Sequence, residues 1–302
     1  MSPTDASGTS DTGIPPLFAG LCDDAAMFPP GNATAEDALP AHARYREAWF
    51  EPLVGPFLIG TGHLDAVAGA LQHGHDCPDA VLVVPGGPDR LVPALAAARS
   101  RGLPVVGVEL ACAATGTPAQ AAQAARAALD RHLPPRAGGV VEVRRASPAE
   151  MAAALDVMAG TGYRAKLRTG GTIAEAFPPA AEVAAFITGC ADRGLSFKCT
   201  AGLHQAVRHT AAVTGFEHHG FLNILAATGE ALSGASRAAL ITVLELRDGH
   251  ELASCLTGMT DRQAARTRTL FTAYGTCSIT EPLQDLASLG LITLSDTVMD
   301  RR

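Results

Sequence analysis

The chain has 302 residues, 47% of them hydrophobic and 18% charged, so it can bury a sizeable core as one large barrel or two ordinary domains. A net charge of -7, 5% aromatic content and scattered arginines exclude the basic, aromatic-laced surface of a nucleic-acid binder. The opening "MSPTDASGTSDTGIPP" has no basic or apolar leader region, and no later stretch is apolar enough to span a bilayer, which predicts a cytoplasmic protein with no membrane contact.

Residues 1–15 read as a disordered tail and residues 16–302 as one domain. From Pro16 onward, short β-branched runs alternate with Ala-rich helical stretches, the pattern of β/α units on a parallel sheet. Eight runs are predicted as strands: 16–22, 56–60, 80–84, 104–110, 139–143, 163–168, 195–199 and 270–277. The intervening stretches start near Pro, Ser or Thr and often end in Gly, as capped helices do. Eight strand–helix pairs suit a (β/α)8 TIM-like barrel, which typically needs ~250 residues. Residues 205–265 are too long for one connection and read as a helical insertion between strands seven and eight, expected over the catalytic face. No GxGxxG follows the first run and there is no P-loop, so the sequence calls for no cofactor.

Alternation along each strand assigns the faces, because i and i+2 share a side. It points Glu109, Glu142 with Arg144, Lys166 with Arg164 and Arg168, and Lys198 with Ser196 and Thr200 into the barrel. Four consecutive strands thus each place a charge inward near their C-terminal ends. Charges removed from water cost several kcal/mol each unless they pair, and a purely structural interior favours Val, Ile or Leu. Interior salt bridges that merely plug the barrel are the structural alternative.

Lys166 and Lys198 are the only lysines, against 21 arginines. Arginine stays protonated, whereas a lysine beside another cation can lose its proton near neutral pH and attack a carbonyl. Lys198, Arg168 and Arg144 are expected to depress Lys166 in this way, leaving it uncharged, while Glu142 or Glu109 moves protons.

The motifs "AKLRTGG" and "FKCTAGLH" resemble those of class I aldolases of the deoxyribose-phosphate aldolase type. That resemblance covers roughly 40 residues of this chain. It implies a barrel with a Schiff-base lysine on strand six, here Lys166, and an activating lysine on strand seven, here Lys198. Those aldolases use an aspartate as the proton-relay partner, and the matching acidic candidates here are Glu109 and Glu142.

Other groups fall on the same face. Asp23 and Asp24 end the first run and suit either a base or metal ligand, or a turn. His204 is a candidate acid/base or substrate ligand. The five-residue spacing of His204 and His209 does not stack both on one helical face. Thr169, Thr200 and Ser278 border glycine-rich turns or a helix start suited to a phosphate or carboxylate. "HGHDC" at 73–77 resembles a metal site but precedes a strand, at the opposite face. Seven widely spaced cysteines without CxxC argue against disulfides and thiolate zinc.

The leading expectation is a lyase acting on a small oxo metabolite, with an anionic substrate, no bound metal and freedom to form a homo-oligomer. Its catalytic set is Lys166, Lys198, Glu142, Glu109 and His204, and its substrate-binding set is Arg168, Arg144, Asp23, Asp24, Thr169, Thr200 and Ser278. Three alternatives stand beside it: an imine-free transferase or isomerase using Lys and Arg as an anion clamp, a metal-dependent hydrolase using Asp23, Asp24, Glu109 and His204, and a non-catalytic anion-binding barrel.

Overall fold

In a computed structural model, which describes residues 13–294, eight parallel strands close into a barrel ringed by helices. The strands are β1 (Cys22–Asp24), β2 (Val54–Gly60), β3 (Ala80–Val84), β4 (Val105–Ala111), β5 (Gly138–Glu142), β6 (Arg164–Arg168), β7 (Phe197–Thr200) and, after a two-stranded hairpin of β8 (His209–Thr210) and β9 (Glu217–His218), β10 (Phe271–Thr276). Each barrel strand pairs with its sequence neighbours, and β10 closes the ring between β7 and β1. The expected (β/α)8 architecture is therefore the architecture found.

Helices α1 (Ala35–Glu47), α2 (Leu64–Gln72), α3 (Leu91–Ser100), α4 (Pro118–His132), α5 (Pro148–Met158) and α6 (Ala180–Asp192) follow the first six long connections. The starts of α4 and α5 are set locally: Thr117 with Gln120, and Ser147 with Glu150, form reciprocal capping boxes ahead of Pro118 and Pro148. The outward strand residues Val108, Leu110, Val141, Ala165, Leu167, Phe197 and Cys199 are all buried against this ring. The interior is a separate matter, since Ala25, Leu58 and Val81 form their own small apolar cluster there with Phe28 and Val83.

Two expectations need correction. The first strand is not at 16–22: Pro16–Phe18 forms a 3-10 turn, favoured by Pro15 and Pro16, and the strand begins at Cys22 and runs through both aspartates. The insertion does not lie over the catalytic face as a whole. Its helices α7 (Phe221–Leu232), α8 (Arg237–Glu245), α9 (Gly249–Thr257) and α10 (Asp261–Leu270) join the outer layer, with α7 packed among α6, α8, α9 and α10. Nine consecutive α7 residues from Phe221 to Gly229 are buried, as an all-round apolar helix must be. Only the preceding segment, including the β8–β9 hairpin, reaches the mouth. The chain then continues through β10 into α11 (Thr280–Ser288). The tail expected over residues 1–15 lies, up to residue 12, outside the described residues, and Ile14 is already buried in the core.

Candidate active site

Three neighbouring strands carry charged residues at one level. Glu142 on β5 is the register partner of Lys166 on β6, and Lys166 is the partner of Lys198 on β7. Partners across a parallel ladder point to the same face, so all three enter the barrel. Lys166 Nζ donates to Glu109 Oε2 and lies equally close to Glu142 Oε2, both at 2.7 Å. Lys198 Nζ donates to the other Glu109 oxygen and to Asp23 Oδ2. Glu109 thus bridges the two lysines, one carboxylate oxygen to each. Asp23 fits because β2 has Gly55 opposite it, where any Cβ would collide with the Asp23 carboxylate.

Asp23, Glu109, Lys166 and Lys198 are each at most 3% exposed. Burial alone would push the Glu109 carboxyl up, but the two ammonium groups prevail and hold it well below the usual carboxylate range. Glu142 is lowered for the same reason, by Lys166 and then Arg168 against its burial. For Lys166, burial opposes the charge while Glu109 and Glu142 favour it, and the carboxylates win: its pKa lies above that of an ordinary lysine. Asp23 goes the other way, raised mainly by burial and further by Glu109, with Lys198 opposing.

The expectation of an uncharged Lys166 is therefore overturned in the resting protein. The partners within contact of Lys166 are carboxylates, not the cations that were to depress it. Arg168 Nε donates to Glu142 Oε1 at 2.9 Å, and Arg144 turns away to donate to the carbonyls of Ala113 through Gly116.

Above the charges opens a cavity of about 550 Å³ whose lining includes Lys166, Glu109, Arg168, Thr200 and His204. Lys198 and Asp23 are absent from that lining and sit behind it. His204 has a lowered pKa, from burial and then from His209, and its Nδ1 lies 3.6 Å from Cys277 Sγ. The loops after β6 and β7 touch backbone to backbone: a Cβ on Gly170 would lie 2.7 Å from Gly202 Cα and 3.0 Å from the Phe177 ring. Gly202 has φ +75°, and Ala201 is held at φ +63°, an uncommon conformation for a residue with a Cβ. These contacts account for the glycines that follow each lysine strand.

Several sequence candidates are not brought to the cavity. Asp24 points outward, where its Oδ2 meets His42 Nδ1 at 3.0 Å and its Oδ1 accepts from the Ala26 amide. Thr169 is buried and donates to the carbonyls of Thr200 and Ala201, tying the two loops together. Ser278 accepts from the Glu281 amide at the start of α11, a capping role. Arg144 holds the loop after β4. The set Asp23, Asp24, Glu109 and His204 consequently does not converge, and among the described residues no three His, Cys, Asp or Glu side chains are grouped to hold a metal ion.

Residues at the mouth that sequence reasoning missed are Phe28, Phe177, Phe216 and Cys277, and His218 lines it beside them. Phe216 and His218 share a face by their i, i+2 spacing across β9, and both pack on Phe177, with ring centroids 5.5 and 4.4 Å away. A long irregular segment after a strand end was the available signal, but its partners come from other connections. No helix among the described residues is long and apolar enough to cross a membrane. The barrel is a fold that commonly hosts enzymes, with their sites at this end of the strands. The chain matches no protein-family model and no curated protein, so its reading rests on these side chains.

Proposed function

We propose that the protein is a lyase of the class I aldolase kind, in which Lys166 forms an imine with a small oxo compound. One observation carries this reading: of the two lysines, Lys166 alone lines the cavity, while Lys198 lies behind it, coupled to it through Glu109. That is the division of labour between nucleophile and neighbour that the two motifs suggest.

The resting ammonium must lose a proton before it can attack, and the ion-pair chain supplies a route. Lys166 passes a proton to Glu109, Glu109 to Lys198, and Lys198 to Asp23, the one member of the chain whose carboxyl is raised toward proton binding. The free amine adds to the carbonyl carbon, the oxygen leaves as water after protonation, and the iminium remains. Cleavage of the adjacent carbon–carbon bond then sends its electron pair into the iminium. The departing hydroxyl gives up its proton to a base in the cavity, for which the neutral His204 is in place.

Borohydride reduction in the presence of a panel of aldehydes, ketones and oxo acids tests this directly. A reduced adduct mapped to Lys166 by peptide mass is expected, and its complete absence across compounds that bind would sink the reading. Because Lys166 is held protonated, the trapping rate should rise with pH from 7 to 9. Asp23→Asn should lower it by removing the terminal proton acceptor.

A second reading has its own support: every charge in the cluster is paired within the protein, as in a barrel sealed by interior salt bridges. Such a barrel binds no carbonyl covalently, so the same trapping experiment separates the two.

A further inference from the structure

The cavity itself indicates what the oxo compound carries. Arginine and lysine side chains in its lining are Lys166 and Arg168, and both are already in ion pairs with Glu109 and Glu142. Counting the groups behind the wall, three cations face three carboxylates. Among the described residues, an incoming phosphate or carboxylate would therefore meet no uncompensated lysine or arginine in this lining and would approach the Glu109 carboxylate. Two of the backbone amides that might have held an anion after β10 are also taken. Ser278 donates its amide to Thr276 Oγ1, the Glu281 amide is capped by Ser278, and Glu281 adds a negative charge in the first turn of α11.

Beside the polar Thr172, Thr200, His204, Thr214 and His218, much of the remaining wall is apolar. Phe28, Pro29 and Pro30 from the β1 connection, Phe177 from the β6 connection, and Phe216 from the hairpin surround it, with Leu58 and Val83 below. The hairpin is built into this wall, since Phe216 and His218 rest on Phe177 and Phe177 rests on Gly170 and Gly202. The volume of about 550 Å³ lies within the range of small-molecule sites, roughly 300–1,000 Å³, in which apolar lining and a few polar groups are usual.

We infer that the substrate of this site is an uncharged carbonyl compound bearing an aromatic or branched apolar group, seated among Phe28, Phe177 and Phe216 with its carbonyl toward Lys166, and not a phosphorylated or carboxylated metabolite. This inference rests on the imine reading for the reaction but not for the fit, and the two can fail separately.

The experiment compares 3-phenylpropanal, acetaldehyde and glyceraldehyde 3-phosphate as borohydride-trapped partners of the full-length protein, by the concentration that half-saturates adduct formation. It also measures binding of 3-phenylpropanol and glycerol 3-phosphate, which cannot form an imine, by calorimetry. Phenylpropanal should half-saturate at a concentration at least about tenfold below that of either other aldehyde, as burial of a ring side chain warrants. Phe216→Ser, on the hairpin surface, should raise the phenylpropanal value about tenfold and the acetaldehyde value much less, and Phe28→Ser should do the same from the opposite wall. If no aldehyde is trapped yet phenylpropanol binds and glycerol 3-phosphate does not, the imine reading falls and the selectivity stands. If the phosphorylated compounds bind as well as the phenyl ones, or the Phe variants leave the phenyl preference intact, the inference is overturned.

Discussion

The interior of this barrel has two unlike halves. On the β1–β3 side, Ala25, Leu58 and Val81 make a small apolar cluster with Phe28 and Val83. On the β4–β7 side, Glu109, Glu142, Lys166 and Lys198 occupy the equivalent inward positions, joined by Asp23 reaching across from β1. A barrel needs only the first kind of filling to be stable, because buried ion pairs seldom outperform well-packed hydrocarbon of the same volume. The second half therefore marks where stability was not the only requirement. On the proposed reading the reacting carbonyl would meet the charged side, under a rim to which both sides contribute, Phe28 from one and Phe177 and Phe216 from the other.

Replacing one member of the charged half should have the largest effect. Lys166→Arg keeps the charge and the ion pairs but removes the nucleophile, so adduct formation should disappear and any carbonyl-cleaving activity should fall at least ~1,000-fold, about 4 kcal/mol in barrier. An arginine variant with activity near wild type would remove the functional distinction between the halves. Next is stability. Glu109→Leu leaves the two lysines facing each other without the carboxylate that bridges them, and should cost about 3–5 kcal/mol of unfolding free energy by denaturant titration. In the quadruple variant Asp23→Asn, Glu109→Leu, Lys166→Met, Lys198→Met, which leaves Glu142 with Arg168, much of that loss should be recovered, because no unpaired charge would then remain among the buried members.

How much of this was legible beforehand depended on where a strand ends. Inside the strands, the period-two rule put Glu109, Glu142, Lys166, Lys198 and Thr200 on the inner face, and the structure places them there. Beyond the last residue of a strand the pleat no longer sets direction. Arg144, Thr169 and Ser278 all follow the ends of β5, β6 and β10, and each turned out to hold a loop or a helix start. Asp23 and Asp24 could have been told apart by alternation, but a strand of Cys-Asp-Asp carries no hydrophobic signature, and the preceding Pro-rich stretch drew the assignment instead. The sign of the Lys166 shift was missed for a related reason. Strand order revealed which charges share a face, but the choice of contact partner depends on side-chain reach across the barrel. The aromatic wall was illegible because its members come from three different connections.

The wall of the mouth offers a pH-dependent test. His219, just past the hairpin, is buried with Nε2 donating to the Pro178 carbonyl at 2.7 Å and Nδ1 accepting from Arg208. Burial first, opposed by the Pro178 contact and aided by Arg208, lowers its pKa to about 4 from an ordinary 6.5. Between those values the unfolded chain binds a proton that the folded protein refuses, so stability falls as pH drops from 6.5 toward 4 and is fully retained above 6.5. The loss attributable to this group should approach about 3 kcal/mol at the acid end. It is read as the difference between wild type and His219→Gln in denaturant midpoints at pH 7, 5.5 and 4.5, and equal slopes for the two proteins would refute it.

The smallest predicted effect concerns the joint between the halves and the wall. The loops carrying the two lysine strands onward meet at Gly170 and Gly202, so Gly170→Ala must push either a backbone or the Phe177 ring aside, at about 1–3 kcal/mol. Gly62→Ala serves as the comparison, because a Cβ there meets nothing within 4 Å and its φ lies outside the left-handed region. It should be neutral or stabilising by about 0.4–1 kcal/mol through the unfolded chain. If the two substitutions cost the same, the backbone contact between the lysine loops is not what the glycines are for. If only Gly170→Ala is costly, and it also weakens binding of the phenyl compound, the loop contact, Phe177 and the hairpin act as one mechanical unit. The apolar wall would then be positioned by the same glycines that follow the two lysines.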